Sequence, residues 1–491
     1  MQRHISLRAI MLLLVSTILL AASPAMAKDK RSSPPPVAKT VTPIDTTLPA
    51  AARYFAPDLR TNSAAIAYDT ATGLHAAYTG YGDANKDAMY YARCVKSDCA
   101  AADAWQTTEL RLPSAVRVQI ALTPSGQPRL LGTGWSSDQA NGLNYWYAEC
   151  NADCMTMGNW TMTKIIGTSD GVMSNISRTR LADHTFALDE RGNPRFMVID
   201  SNYSIEPDHY GAFYMACDNA CSDERNWTET DLANHAGAVT ETFSYPALAL
   251  APGGKARVIA DVYAFDETGK DLDNGLYYYE CNRDCSNRAN WARTLVLDTG
   301  GGSYPYPSWD LETLPDGRPR IAQFTGYGMN NDALDHQLIY SWCETQCTSG
   351  ADGENWYGSP IGIGDGIGES PDLEFDSTGK PFVAFVTDGD EAGIASCNTD
   401  CEVVGKGQWN ADFAERVTAA AADRPTAMAY TCDGELWNAE APSLALVADQ
   451  PLMAFNMTVQ ARCLYKTIGE PEISYQFHEI WRGGRFVRVK L

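Results

Sequence analysis

The stretch YYYECNRDCSNRANW, residues 277–291, decides the fold. Three tyrosines lead into Cys281, three residues separate it from Cys285, and Trp291 stands six residues after the second Cys. The same unit returns about every sixty residues. Cys94 and Cys99 lead to Trp105, Cys150 and Cys154 to Trp160, and Cys217 and Cys221 to Trp227. Cys343 and Cys347 lead to Trp356, and Cys397 and Cys401 to Trp409. Self-similarity at a fixed period marks a repeat architecture, in which each unit buries its apolar surface only against its neighbours. The recurring Cys and Trp are therefore scaffold, and residues that break the repeat become the candidates for function.

A second repeat interleaves with the first. It is an apolar strand, a turn with Asp, Gly or Pro, and another apolar strand. Its seven copies span 64–78, 118–132, 185–199, 246–260, 310–324, 372–386 and 443–457; VQIALTPSGQPRLLG (118–132) is typical. Each carries hairpin-turn chemistry. A third strand runs into the first Cys and a fourth carries the Trp. Seven units of four strands predict an all-β fold, a seven-bladed β-propeller over residues 56–491. The first strand of each unit, A, is expected to line the central channel. The Cys pair falls at the turn between the third and fourth strands, C and D, and the Trp is expected to pack between blades. In the last unit Cys463 is read as ending strand C and Trp481 as standing in strand D.

Arg3 and Arg8, an apolar run from Ile10 to Leu20 and Ala25-Met26-Ala27 read as a secretory signal over residues 1–27. No later stretch is long and apolar enough for a membrane-spanning helix. Residues 28–55 are rich in Pro, Ser, Thr and Ala and read as a flexible or polyproline leader. Cleavage removes two Arg from 38 Lys+Arg, which leaves 36 against 61 Asp+Glu, a net charge of −25. Such a chain repels nucleic acid and anionic membranes. The expected location is secreted or periplasmic, the expected state a monomer and the expected ligand a polysaccharide or other glycan.

All 14 Cys follow the signal. Twelve form the six short pairs, and Cys432 and Cys463 make a seventh. An even count in an exported chain reads as disulfides. Zinc fits poorly, because each pair stands alone and a tetrahedral site needs four ligands.

Aligning the A–B turns on Gly126, Gly192, Gly254, Gly317 and Gly379 places Val118, His184, Pro246, Trp309 and Pro371 at one position near the channel mouth. His184 breaks the pattern. His209 lies in the B–C loop of the same unit, and Tyr245 enters strand A of the next. Two imidazoles and a phenol at a channel mouth form an acid/base set. Tyr304, Tyr306 and Trp309 on the same face suggest a platform for stacking sugars. The B–C loops at 79–83 and 325–336, with Asp266, Asp271, Asp273 and Asn274, are rich in oxygen ligands that could hold a structural Ca²⁺. No cofactor is otherwise required.

The strand pattern with a Trp after the C–D turn resembles the sialidase-like, BNR-type propellers of secreted bacterial proteins. The Asp-box S-x-D-x-G-x-T-W is absent, and a Cys pair occupies its turn. The Phe/Tyr-Arg-Ile-Pro motif of sialidases is absent too; the nearest text is Arg53-Tyr54-Phe55-Ala56-Pro57. The His and Tyr set resembles that of propeller-type polysaccharide lyases such as ulvan lyases. That resemblance implies β-elimination on an acidic glycan, with His184 and His209 as charge neutraliser and base and Tyr245 as base or acid. It also implies an Arg near the end of strand B in the Tyr unit. Here that region reads Ile259-Ala260-Asp261-Val262-Tyr263, which leaves Arg178 or Arg180 to bind the substrate carboxylate. The alternative is a non-catalytic propeller that binds a glycan or a protein with the same face.

Overall fold

A computed structural model describes residues 40–43, 64–82, 86–96, 99, 104–112, 115–135, 143–166, 184–200, 211–233, 239–266, 268, 270–298, 308–325, 337–349, 353–362, 367–387, 392–413, 432–466 and 473–488. Residues 1–27, read as a signal, and most of the expected leader lie outside them. The described chain forms seven four-stranded sheets. Six are blades whose strands follow chain order from the inner edge to the outer. Their inner strands are Ala64–Asp69, Ala115–Leu122, Phe186–Leu188, Val239–Ala251, Ser308–Thr313 and Ile367–Phe375, here blades 1 to 6. With Cys432–Val447 of the seventh sheet they contact one another in a closed ring. The all-β propeller is therefore present, with six ordered blades and a partial seventh sheet.

The seventh sheet departs from the reading of the sequence. From the inside it is Cys432–Val447, Gln450–Lys466, Ile473–Arg488 and then Thr40–Pro43. Cys463 thus lies on the second strand, not the third, and Trp481 on the third, not the fourth. The outer strand comes from the stretch read as leader, with Thr40 opposite Arg488 and Pro43 opposite Arg485. Thr40-Val41-Thr42 carries two residue types that favour strands. The Pro-rich composition around it hides this, and the pairing spans nearly the whole chain.

The six short disulfides expected from the spacing are present at the C–D turns, with Cα–Cα distances of 5.7 to 5.9 Å. Cys94 is bonded to Cys99, Cys150 to Cys154 and Cys217 to Cys221. Cys281 is bonded to Cys285, Cys343 to Cys347 and Cys397 to Cys401. None of these twelve sulfurs is a metal ligand or a free nucleophile. Disulfides at this density belong to a protein folded in an oxidising extracellular or periplasmic environment.

In five turns the residue before the second Cys is left-handed: Asp153, Ala220, Asp284, Gln346 and Asp400. The Trp then begins the outer strand. In five blades its indole N–H donates to the carbonyl of the second Cys (Cys99, Cys154, Cys221, Cys285 or Cys347) at 2.7 to 3.0 Å. Its ring meets, edge-on, a Tyr three residues before the first Cys of the preceding blade. The pairs are Tyr91–Trp160, Tyr147–Trp227, Tyr214–Trp291, Tyr278–Trp356 and Tyr340–Trp409, with centroids 4.9 to 5.5 Å apart. Each such pair contributes about 1 kcal/mol beyond its buried area. The aromatic residues before the Cys and the Trp after it are thus two halves of one interblade contact.

A buried arginine completes the turn, a feature absent from the sequence reading. Arg129, Arg195, Arg257 and Arg320 each stand three residues after the turn glycine. Their Nη1 atoms donate to the carbonyls of Cys150, Cys217, Cys281 and Cys343 at 2.7 to 3.3 Å. Burying a guanidinium is tolerable because most of its donors find acceptors. Blade 1 solves the same problem differently. By strand register His75 takes the arginine's place opposite Arg93, and Arg93 donates to the Thr72 carbonyl. His75 is buried, with Nδ1 2.6 Å from the Tyr91 hydroxyl and Nε2 3.0 Å from Thr72 Oγ1.

The register sets Cys432 directly opposite Cys463, so a seventh bridge is expected. Alkylation of the unfolded, unreduced protein should then label no thiol, whereas labelling at these two positions would leave the seventh sheet unstapled. The buried imidazole gives a second expectation. Burial lowers the His75 pKa to about 4, with the Arg93 charge adding to the effect. The unfolded chain, with an ordinary imidazole near 6.5, therefore binds the proton first. Stability should be complete above about pH 6.5 and fall by up to ~3 kcal/mol as pH drops towards 4. Chemical denaturation of wild type and His75→Gln across that range checks it, the variant giving the flatter profile.

Candidate functional site

Each inner strand has one edge with no strand beside it, so its amides need other partners. Side chains from the adjoining blade supply several of them. Gln119 of blade 2 donates from Nε2 to Thr185 Oγ1 of blade 3 and accepts from the Thr185 amide. The His184 carbonyl accepts from the Leu248 amide at 2.7 Å. Trp309 Nε1 donates to the Tyr245 carbonyl at 2.6 Å, joining blades 4 and 5. Asp310 accepts from the Leu373 amide at 2.7 Å, Asp372 from Leu444 at 2.6 Å, and Ser443 Oγ from Ile66 at 3.1 Å. This polar belt carries the ring from blade to blade around the channel.

The channel holds a cavity of about 280 Å³ lined by residues of all seven inner strands, among them His184, Asp310, Glu312, Asp372 and Glu374. Asp310 and Glu312 alternate along the strand of blade 5, and Asp372 and Glu374 along that of blade 6. Each pair therefore projects to one side, towards the cavity. Asp310 and Asp372 are buried. Burial raises the Asp310 carboxyl above its ordinary range, opposed by His184 and by the Leu373 and Leu311 amides. Burial, then the neighbouring carboxylates, pushes Glu312 and Glu374 well up. No Lys or Arg is among the described residues lining the cavity.

His184 precedes the inner strand of blade 3 and reaches across the channel, its Nδ1 3.4 Å from Asp310 of blade 5. Its side chain is 19 % exposed, so it keeps an open side. Tyr245 stands at a register shift in the inner strand of blade 4, between Ser244 and Ala247, with φ +53°. Its ring lies edge-on to Trp309 at 6.0 Å. The same left-handed step recurs at Ser370 of blade 6, also just before a Pro, so this backbone strain is not particular to Tyr245. Trp309 is buried in the interblade packing, 7 % exposed. It is therefore not the open stacking platform expected from the sequence. His209, Arg178, Arg180, Tyr304 and Tyr306 lie outside the described residues, as do 326–336 of the expected Ca²⁺-binding loops. In blade 4 Asp266 accepts from Thr268 and from the Lys270 amide, and Asn274 from the Ala264 amide, so these oxygens hold the local turn and strand edge.

Two groups escape the sequence reading. The first is the pair of Asp-Leu-Glu runs, 310–312 and 372–374, which sit within the repeat copies and read only as strand. Carboxylates at alternate positions of a strand that lines a closed ring are the signal. The second is Asp261, opposite Ser244 and on the face of blade 4 shared with Ile259, which packs towards blade 5. Burial raises its pKa to about 7. A carboxyl titrating near neutrality one residue pair from Tyr245 has the proton affinity of a general acid or base.

No family model and no curated protein matches the chain. Among solved structures, a GH93 α-L-arabinofuranosidase of Fusarium graminearum with arabinobiose aligns at 11 % identity and TM-score 0.44, over 77 % of this chain and 98 % of that one. A PL25 ulvan lyase bound to -[GlcA(1-4)Rha3S]- aligns at 9 % identity and TM-score 0.47, over 91 % and 96 %. A protein of unknown function from Dyadobacter fermentans aligns at 10 % and 0.40, over 93 % and 100 %. The chain is a β-propeller similar in architecture to carbohydrate-active propellers, at low identity.

The Asp261 shift has a checkable consequence. Its native carboxyl holds a proton that the unfolded chain gives up near pH 4, so stability should fall as pH rises from about 4 through 7 and then level. Asp261→Asn should remove that decline and be the more stable form at pH 8, measured by denaturant midpoint.

Proposed function

We propose that this protein is an exported, carbohydrate-active propeller that cleaves an acidic polysaccharide by β-elimination at the channel mouth. The observation that carries the reading is the placement of His184. It is the one basic side chain among the described residues lining the cavity, and buried Asp310 holds its ring. In this reading His184 neutralises the substrate carboxylate, which makes the proton next to it more acidic. Tyr245, with His209 from the neighbouring loop, moves that proton and protonates the departing oxygen. Arg180 is the further candidate contact for the carboxylate. Asp261, beside Tyr245 in the sheet, sets the local proton balance. The ligand is a glycan, and the acidic chain turns away nucleic acid.

A second reading is a propeller that binds a glycan or a protein without turnover. The acidic lining of the channel favours it, since Asp310, Glu312, Asp372 and Glu374 offer a polyanion no cationic partner. So does the recurrence of the Tyr245 backbone at Ser370, which gives that geometry a scaffold role.

A lyase assay separates the two. The purified protein is given a panel of uronate-containing polysaccharides, and the ultraviolet absorbance of the unsaturated product is followed. Activity in the wild type that falls roughly 100-fold or more in both His184→Ala and Tyr245→Phe is the expected result, in line with loss of an acid/base group. No product from any substrate, with glycan binding retained, would replace the lyase reading with the binding one.

A further inference from the structure

We infer that the central channel is a binding site for one divalent cation of the zinc or manganese type, held by His184, Asp310 and Asp372. One imidazole nitrogen and one oxygen from each carboxylate lie within 4.8 Å of one another. They come from blades 3, 5 and 6, so only ring closure brings them together. Three features give this cluster the character of a site.

The donors are mixed. An imidazole with carboxylates suits zinc and manganese, whereas calcium favours oxygen alone. The ligands are also held from behind. Asp310 accepts from the Leu373 and Leu311 amides at 2.7 Å, and Asp372 from Leu444 at 2.6 Å. Outer contacts of this kind orient metal ligands before the ion arrives. Finally, the enclosed charge is one-sided. Glu312 and Glu374 line the same cavity, with no Lys or Arg among its described lining, and the cavity of about 280 Å³ has room for an ion with bound water.

The inference deepens the reading above at one point. A bound ion, in place of a protonated His184, would be the positive charge at the channel mouth. It stands without that reading, because metal binding is measured with no glycan present.

The test uses the whole purified protein, stripped with a chelator and dialysed. Zinc, manganese and calcium are added separately. Stoichiometry is read by elemental analysis, affinity by titration calorimetry and stability by thermal unfolding. Expected are about one equivalent of zinc or manganese, a higher Tm with the ion, and a Kd raised roughly 10- to 100-fold in His184→Ala and in Asp372→Asn. The Asn variant keeps an oxygen for the Leu444 amide, and the disulfide count and far-ultraviolet spectrum of both variants report folding. Failure of the wild type to retain zinc or manganese overturns the inference. Unchanged binding in both folded variants does the same, and so does preference for calcium over zinc. The lyase assay is scored separately, so loss of either conclusion leaves the other standing.

Discussion

A twisted four-stranded sheet with two apolar faces must be covered on both sides, and in this molecule each blade is covered by the next. The contact that makes this repeatable is the edge-on meeting of a tyrosine in one blade with the tryptophan that opens the outer strand of the following one. In five blades the tryptophan is tied through its indole N–H to the carbonyl of a disulfide-bonded Cys in its own turn. The disulfide, the left-handed residue inside it and the buried arginine behind it therefore serve one purpose. They fix the outer corner of the blade so that its neighbour finds the same surface every time. A ring has no free sheet face only if the last blade meets the first, and here the inner strands of the seventh sheet meet that of blade 1, while a four-residue strand from near the N-terminus pairs with the outer edge of the seventh sheet.

The inner edge poses the opposite problem. There, strands converge on a narrow channel and leave amides without strand partners. The molecule answers with polar side chains that bridge blade to blade. Between blades 2 and 3, between blades 4 and 5, and between the seventh sheet and blade 1 these are neutral, from Gln119, Trp309 and Ser443. At blades 5 and 6 they are carboxylates, and a second carboxylate follows each of them along the strand. The belt needs acceptors but has no need of this much charge. The excess lies on one side of the ring and faces an imidazole from blade 3, and this asymmetry sets the channel apart from the scaffold around it.

Much of the fold is legible in one sequence. The Cys-x3-Cys and Trp unit sets the period, the turn glycines set the strand register, and the six bridges follow from local spacing alone. The buried arginines stand in plain view three residues after those glycines. They are harder to interpret, because a charged residue in a strand reads as exposed until its carbonyl partners are known. The closing strand is hidden for a different reason. Its partner lies at the far end of the chain, and a four-residue strand in Pro-rich sequence carries too little pattern to be seen.

Period, turn chemistry and cysteine spacing are local and repeat, so the order of residues suffices to give the number and kind of blades. It also singles out His184 and Tyr245 as departures from the repeat. Their surroundings come from folding alone. Ring closure turns His184 across the channel towards Asp310 and Asp372, and sets Tyr245 against a buried Trp309 with Asp261 close by in its own sheet. The residues that meet at the channel lie more than a hundred positions apart in some cases. Their meeting depends on the radius at which the ring closes, a quantity fixed by the sum of all the blade-to-blade contacts and written in no single stretch of the chain.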